Sequence, residues 1–127
     1  MINFALVGAG GAFGAMARYL AGQTFMRLFG PAQPYLATLI VNVAGGLLMG
    51  VLVGLLALKV DGGERWRLLL GVGVLGGFTT FSAFALEAVS MLERKVYGLM
   101  AAYVAGSVVL SILALVVGLA AARRVFA

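Results

Sequence analysis

The chain has 127 residues, of which 64% are apolar and 10% charged, with nine Lys/Arg against four Asp/Glu. A soluble domain carries about 25% charged residues and at this size still leaves about a third of its unfolded area in water, so a soluble globular fold and disorder are both excluded. The absence of Cys and His removes disulfides, thiolate nucleophiles, imidazole bases and the usual zinc ligands. With no paired carboxylates and no nucleophile–base set, nothing points to an enzyme.

Charge-free runs cover 1–17, 28–58, 68–86 and 96–122. A helix needs about 20 apolar residues to cross the hydrocarbon core. The pattern predicts an all-α integral membrane protein with four transmembrane helices, near 3–22, 35–58, 68–90 and 96–121, in a single membrane domain over 1–127.

The first predicted helix is not expected to be a cleaved signal. Ala15-Met16-Ala17 has small-residue spacing, but no Lys or Arg precedes the apolar stretch. Gly10, Gly14, Arg18 and Gly22 share one face of it. Pro31 and Pro34 fall in the loop that follows, where a missing N–H costs little. In the second helix Gly46, Gly50 and Gly54 form another small-residue stripe. Such stripes let helix backbones approach closely, and two of them favour a tightly packed oligomer. Asn42, between Val41 and Val43, is open to two readings: a helix–helix hydrogen bond, or a donor lining a pore. Gly62 and Gly63 mark the next turn.

The third helix carries Gly71, Gly73, Gly76 and Gly77, then Thr79 and Thr80. Glycine costs about 1 kcal/mol relative to alanine inside a helix. The run predicts a break at mid-membrane, set against a flexible but continuous glycine-rich helix; a break is tolerated only where protein or a polar cavity satisfies the freed backbone. Freed carbonyls there are suited to a cation. Phe81 and Phe84 are three apart and share a face. Aromatic rings have a positive edge, which allows them to dress an anion without holding it as firmly as a Lys would. Arg18 and Glu87 are the charges well inside the spans, expected to pair with each other or to meet water at a vestibule. In the fourth helix Tyr103, Ser107 and Ser111 repeat at spacing four and form a polar stripe.

Orientation by positive charge is nearly balanced. Lys59, Arg65, Arg67, Arg123 and Arg124 fall on one side, and Arg27, Arg94 and Lys95 on the other. Lys/Arg in short loops normally fix topology. The balance fits either a weak preference for a cytoplasmic N-terminus or dual topology, with copies inserted both ways.

The run from Gly76 to Phe84, Gly-Gly-Phe-Thr-Thr-Phe-Ser-Ala-Phe, resembles the signature of the Fluc (CrcB) fluoride channels. So do residues 10–19, residues 38–45, and Tyr103 with Ser107 and Ser111. The resemblance extends over all four helices. It implies a passive fluoride-selective channel that exports cytoplasmic fluoride, built as an antiparallel dual-topology homodimer with two pores in a prokaryotic inner membrane. Phe81 and Phe84 look like the phenylalanine box around fluoride, and Asn42 like the pore asparagine. Ser111, with Ser82, looks like the polar track, while Tyr103 and Ser107 resemble pore-adjacent positions. Arg18 and Glu87 resemble vestibule positions. Gly76 and Thr79 look like the residues whose backbone carbonyls hold a structural sodium ion at the dimer centre. Ala83 and Ala85 depart from the pattern, which commonly has Thr and a hydroxyl residue there.

A small multidrug transporter has the same size and helix number but needs an acid in its first helix, where this chain has Arg18. A non-transporting assembly subunit leaves the break and the Phe81/Phe84 pair without a role. No Gly-x-x-x-x-Gly-Lys-Ser/Thr pattern is present, so no nucleotide is expected, and no nucleic acid partner.

Overall fold

The computed structural model describes residues 1–58 and 61–126, all in helices and short turns. Lys59, one of the charges weighed for topology, lies outside the described residues. The elements are α1 (Ile2–Phe29), α2 (Pro34–Leu56), α3 (Gly63–Trp66), a π-helical stretch (Arg67–Leu75), α4 (Gly76–Phe78), α5 (Phe81–Glu93) and α6 (Tyr97–Phe126). Among the described residues, four spans are long and apolar enough to cross a membrane: α1, α2, the composite Gly63–Glu93, and α6. The third is bent, as the glycines and threonines require.

Three of the spans outrun their expected ends, whereas α2 stops at Leu56, short of the expected 58. α1 continues past Gly22 until Gly30 (φ 83) and Pro31 stop it, so Arg27 sits in its last turn, where a cation suits the helix dipole. Pro34 occupies the start of α2, where its missing N–H is no loss. Arg123 and Arg124 fill the last turn of α6. The π winding of Arg67–Leu75 has no counterpart in the sequence reading. Its i+5 pattern is seen where the Gly76 N–H meets the Gly71 carbonyl.

Glycines set the packing. A Cβ on Gly46 would come within 2.7 Å of the Ser111 carbonyl oxygen. Cβ atoms on Gly50 and Gly118 would overlap the carbonyls of Leu115 and Leu47. The paired numbers rise together, so α2 and α6 run in the same direction. Gly10 and Gly14 likewise press on the carbonyls of Leu69 and Val74, and Gly77 on that of Gly11. The two stripes expected to favour an oligomer are therefore used inside one chain, because each meets backbone of its own neighbour helix. Gly22, the last member of the α1 stripe, has nothing among the described residues within 4 Å of where a Cβ would sit.

This close approach makes a strong prediction. Gly50→Val places branched carbon where the Leu115 carbonyl lies, and overpacking a tight core costs about 1–3 kcal/mol or more. Purified Gly50→Val should elute aggregated on gel filtration. A sharp, parent-like peak would contradict the α2–α6 packing. The outer surface is apolar, with Phe4, Phe13, Leu113 and Val117 exposed, as a lipid-facing surface requires.

Candidate functional site

The break between α4 and α5 builds the site. Thr79 (ψ 157) and Thr80 (φ −148, ψ 119) are extended. The Thr79 N–H and hydroxyl both donate to the Leu75 carbonyl, at 2.9 Å each. The Thr80 hydroxyl oxygen caps α5 by accepting the Ala83 N–H at 3.1 Å. Asn42 reaches across from α2. Its Nδ2 donates to the Thr80 carbonyl at 2.9 Å, and its Oδ1 accepts the Thr80 N–H at 2.8 Å.

Of the two readings of Asn42, the bond to a neighbouring segment is formed, and Asn42 also lines the groove beside the break. The helix–helix hydrogen bond is formed, twice, to backbone that a continuous helix would have satisfied. One of its two N–H groups remains for another partner. The same bonds free two carbonyls. In an unbroken helix the Thr80 N–H would go to Gly76 and the Ala83 N–H to Thr79. Here Asn42 and the Thr80 hydroxyl take them.

Beside the break lies a groove of about 420 Å³. Asn42, Thr79, Phe81, Phe84, Ser107 and Ser111 line it, with Met49 and Leu115 on its apolar wall. Among the described residues, no charged side chain lines it. The Phe81 and Phe84 ring centroids are 5.5 Å apart. Phe81 is 80% exposed, so the groove is open on its side. Ser107 is 6% exposed, and its Oγ is buried with no hydrogen-bond partner among the described residues. A buried hydroxyl left without a partner costs about 1–3 kcal/mol, which favours an acceptor in the groove.

Other expected site residues lie outside this lining. Ser82 is exposed, with its Oγ 3.3 Å from the Thr80 hydroxyl. Gly76 is exposed one turn before Thr80. The Tyr103 ring packs on Phe84 at 5.4 Å, while its hydroxyl donates to Glu87 Oε2 at 2.5 Å. Thr38 donates to Glu87 Oε1 at 2.8 Å.

Of the two arrangements open to Arg18 and Glu87, a mutual pair or water at a vestibule, the pair is not formed. Hydroxyls from α2 and α6 reach the carboxylate, and each of its oxygens takes one. Arg18 instead lines a separate cavity of about 140 Å³ with Thr38, Thr80 and Ala83. Its Nε is buried there without a partner among the described residues. Ala83, where the resemblance calls for Thr, thus borders the Arg18 cavity rather than the groove.

Sequence reasoning missed two residues. Thr38 lies one helical turn before Asn42, and Thr80 directly follows the first threonine of the break. Both were visible as intramembrane polar groups, but their partners are 49 and 38 positions away.

Residues 5–119 match the family described as CrcB-like protein, Camphor Resistance (CrcB). The chain belongs to the CrcB family. Its CrcB relatives include the fluoride-specific ion channel FluC of Phenylobacterium zucineum, 58% identical over 123 residues, covering 96% of each chain. The protein of the same name from Caulobacter vibrioides is 53% identical over 128 residues, covering 100% of both. That of Agrobacterium fabrum is 52% identical over 126 residues, covering 99% of this chain and 100% of its own. The resemblance drawn from the third-helix run is therefore borne out at family level.

Proposed function

We propose that this CrcB protein is a passive fluoride-selective channel, through which fluoride trapped in the cytoplasm leaves the cell. It is a multi-pass protein with bacterial relatives named as fluoride-specific channels, and it fits the inner membrane. The observation that carries the reading is the groove: amide, hydroxyl and aromatic edges gathered without a charge. Fluoride is small and strongly hydrated. Giving up its water requires short donors, while leaving again requires that no cation hold it. The unused Asn42 N–H, the Ser107 and Ser111 hydroxyls, and the edges of Phe81 and Phe84 meet both conditions. Arg18, set apart in its own cavity, raises the anion concentration at the entrance without gripping the ion in transit.

The groove is far larger than one ion, since a water occupies about 30 Å³. Its open side, with exposed Phe81, fits closure by a second copy inserted with opposite topology, giving a homodimer with two pores. The nearly balanced loop charges support that reading. The carbonyls of Gly76 and Thr79, freed by Asn42 and Thr80, suit a structural sodium ion shared between two copies, since hard cations favour oxygen ligands. Bound there, sodium would neutralise the carbonyl dipoles of the two breaks. Glu87, sealed by two hydroxyls, keeps its charge away from the groove lining.

A bacterial strain made sensitive by loss of its own fluoride export tests the function in cells. Expression of this chain should restore growth in millimolar fluoride. Growth no better than with an empty vector would contradict the proposal.

A further inference from the structure

We propose that Tyr35 is a positioning residue for the phenylalanine pair, acting through Tyr103; this rests on the fluoride-channel reading above. Four rings form a row from the first turn of α2 to the groove. Tyr35 meets Tyr103 edge-on, with centroids 5.5 Å apart and planes at 72°. Tyr103 meets Phe84 at 5.4 Å with planes at 41°, and Phe84 meets Phe81 at 5.5 Å.

Tyr103 is the buried link of this row. Its hydroxyl is held by Glu87, but a bond at the para position leaves the ring able to turn about its own long axis. An edge contact from Tyr35 sets that plane. The plane of Tyr103 in turn decides how Phe84 packs on it, and hence which edge Phe84 offers to the groove. Tyr35, Thr38 and Asn42 lie at i, i+3 and i+7 on α2, one helix face. That face holds the Tyr103 ring through Tyr35, the Tyr103 hydroxyl through Thr38 and Glu87, and the break through Asn42. The Tyr35 ring, through its edge contact with Tyr103, carries the effect without its hydroxyl.

Two readouts test the proposal on the purified full chain. The first is fluoride efflux from liposomes. Tyr35→Phe should match the parent. Tyr35→Leu should slow efflux by about tenfold, the rate equivalent of a strong aromatic pair, with unchanged elution on gel filtration. If Tyr35→Leu aggregates, Tyr35→Met, unbranched and of similar reach, serves in its place with the same expectation. The second readout is the fluorine-19 resonance of para-fluorophenylalanine placed at Phe84. It should shift or broaden in Tyr35→Leu and stay in place in Tyr35→Phe, while the same label at Phe126 stays in place in both. Parent-like efflux in Tyr35→Leu, equal loss in Tyr35→Phe, or an unmoved Phe84 resonance overturns the assignment of Tyr35 alone. A parent that passes no fluoride overturns the channel reading and this assignment with it.

Discussion

Phe84→Ile should cut fluoride flux steeply while leaving the fold intact. Isoleucine fills much of the same space and is as apolar, but it has no electropositive ring edge. A hydrogen bond to a charged group is worth about 1.5–3 kcal/mol, and a ring edge facing a dehydrated anion does comparable work. Removing it should slow efflux by on the order of a hundredfold. Phe81→Ile should behave alike, and its folding is the safer of the two, because Phe81 is exposed while Phe84 packs on Tyr103. Efflux at the parent rate in both variants, with parent-like gel filtration, would remove the two rings from the ion path.

The second large effect is expected at Asn42. Asn42→Leu leaves the Thr80 N–H without its partner and takes one donor from the Thr80 carbonyl, which as the N-cap carbonyl of α5 keeps its intrahelical bond. Thr80 is buried, and an orphaned N–H there costs about 1–3 kcal/mol. The variant should lose flux and also melt several degrees lower. The pairing of these two losses matters. A residue that only donated to the passing ion would lose flux at an unchanged melting temperature, and that result would contradict the role of Asn42 in holding the break. Asn42→Asp keeps the acceptor for the Thr80 N–H but removes the donor to its carbonyl. It also places a negative charge beside an anion path, so its flux should fall even where its stability recovers in part.

The four spans were legible because charges are scarce and fall between the apolar runs. The break was legible because Gly76, Gly77, Thr79 and Thr80 are poor choices for an apolar helix, although a flexible, continuous glycine-rich helix accounts for the same residues. Helix ends were less so. The charge pattern ends the first helix near residue 22, yet it runs on to Phe29, because a cation such as Arg27 in a last helical turn needs no loop at all. The π winding of Arg67–Leu75 left no mark in the sequence, since it is a matter of hydrogen-bond register. The glycine stripes were visible, but not what they face. A stripe gives the closeness of an approach, not the partner, and both stripes meet helices of the same chain.

At the site, residue types were readable and pairings were not. Asn42 presented a donor and an acceptor, but only the fold brings Thr80 against both. Glu87 invited Arg18 by charge. Two hydroxyls reach it instead, and Arg18 keeps its own cavity. Tyr103 and Ser107 sat on one predicted stripe, yet the Tyr103 hydroxyl is engaged by Glu87 while the Ser107 hydroxyl is left for the groove. Helical spacing shows which groups share a face; which of them are already satisfied depends on the neighbouring helix.

Anion efflux from liposomes carrying the purified protein tests the central claim most directly. With a potential set across the membrane, an ion-selective electrode follows fluoride, and a parallel set follows chloride. Fluoride should leave rapidly and chloride at close to the rate of protein-free liposomes. Fluoride efflux no faster than from protein-free liposomes, or chloride efflux as fast as fluoride, would contradict a fluoride-selective channel.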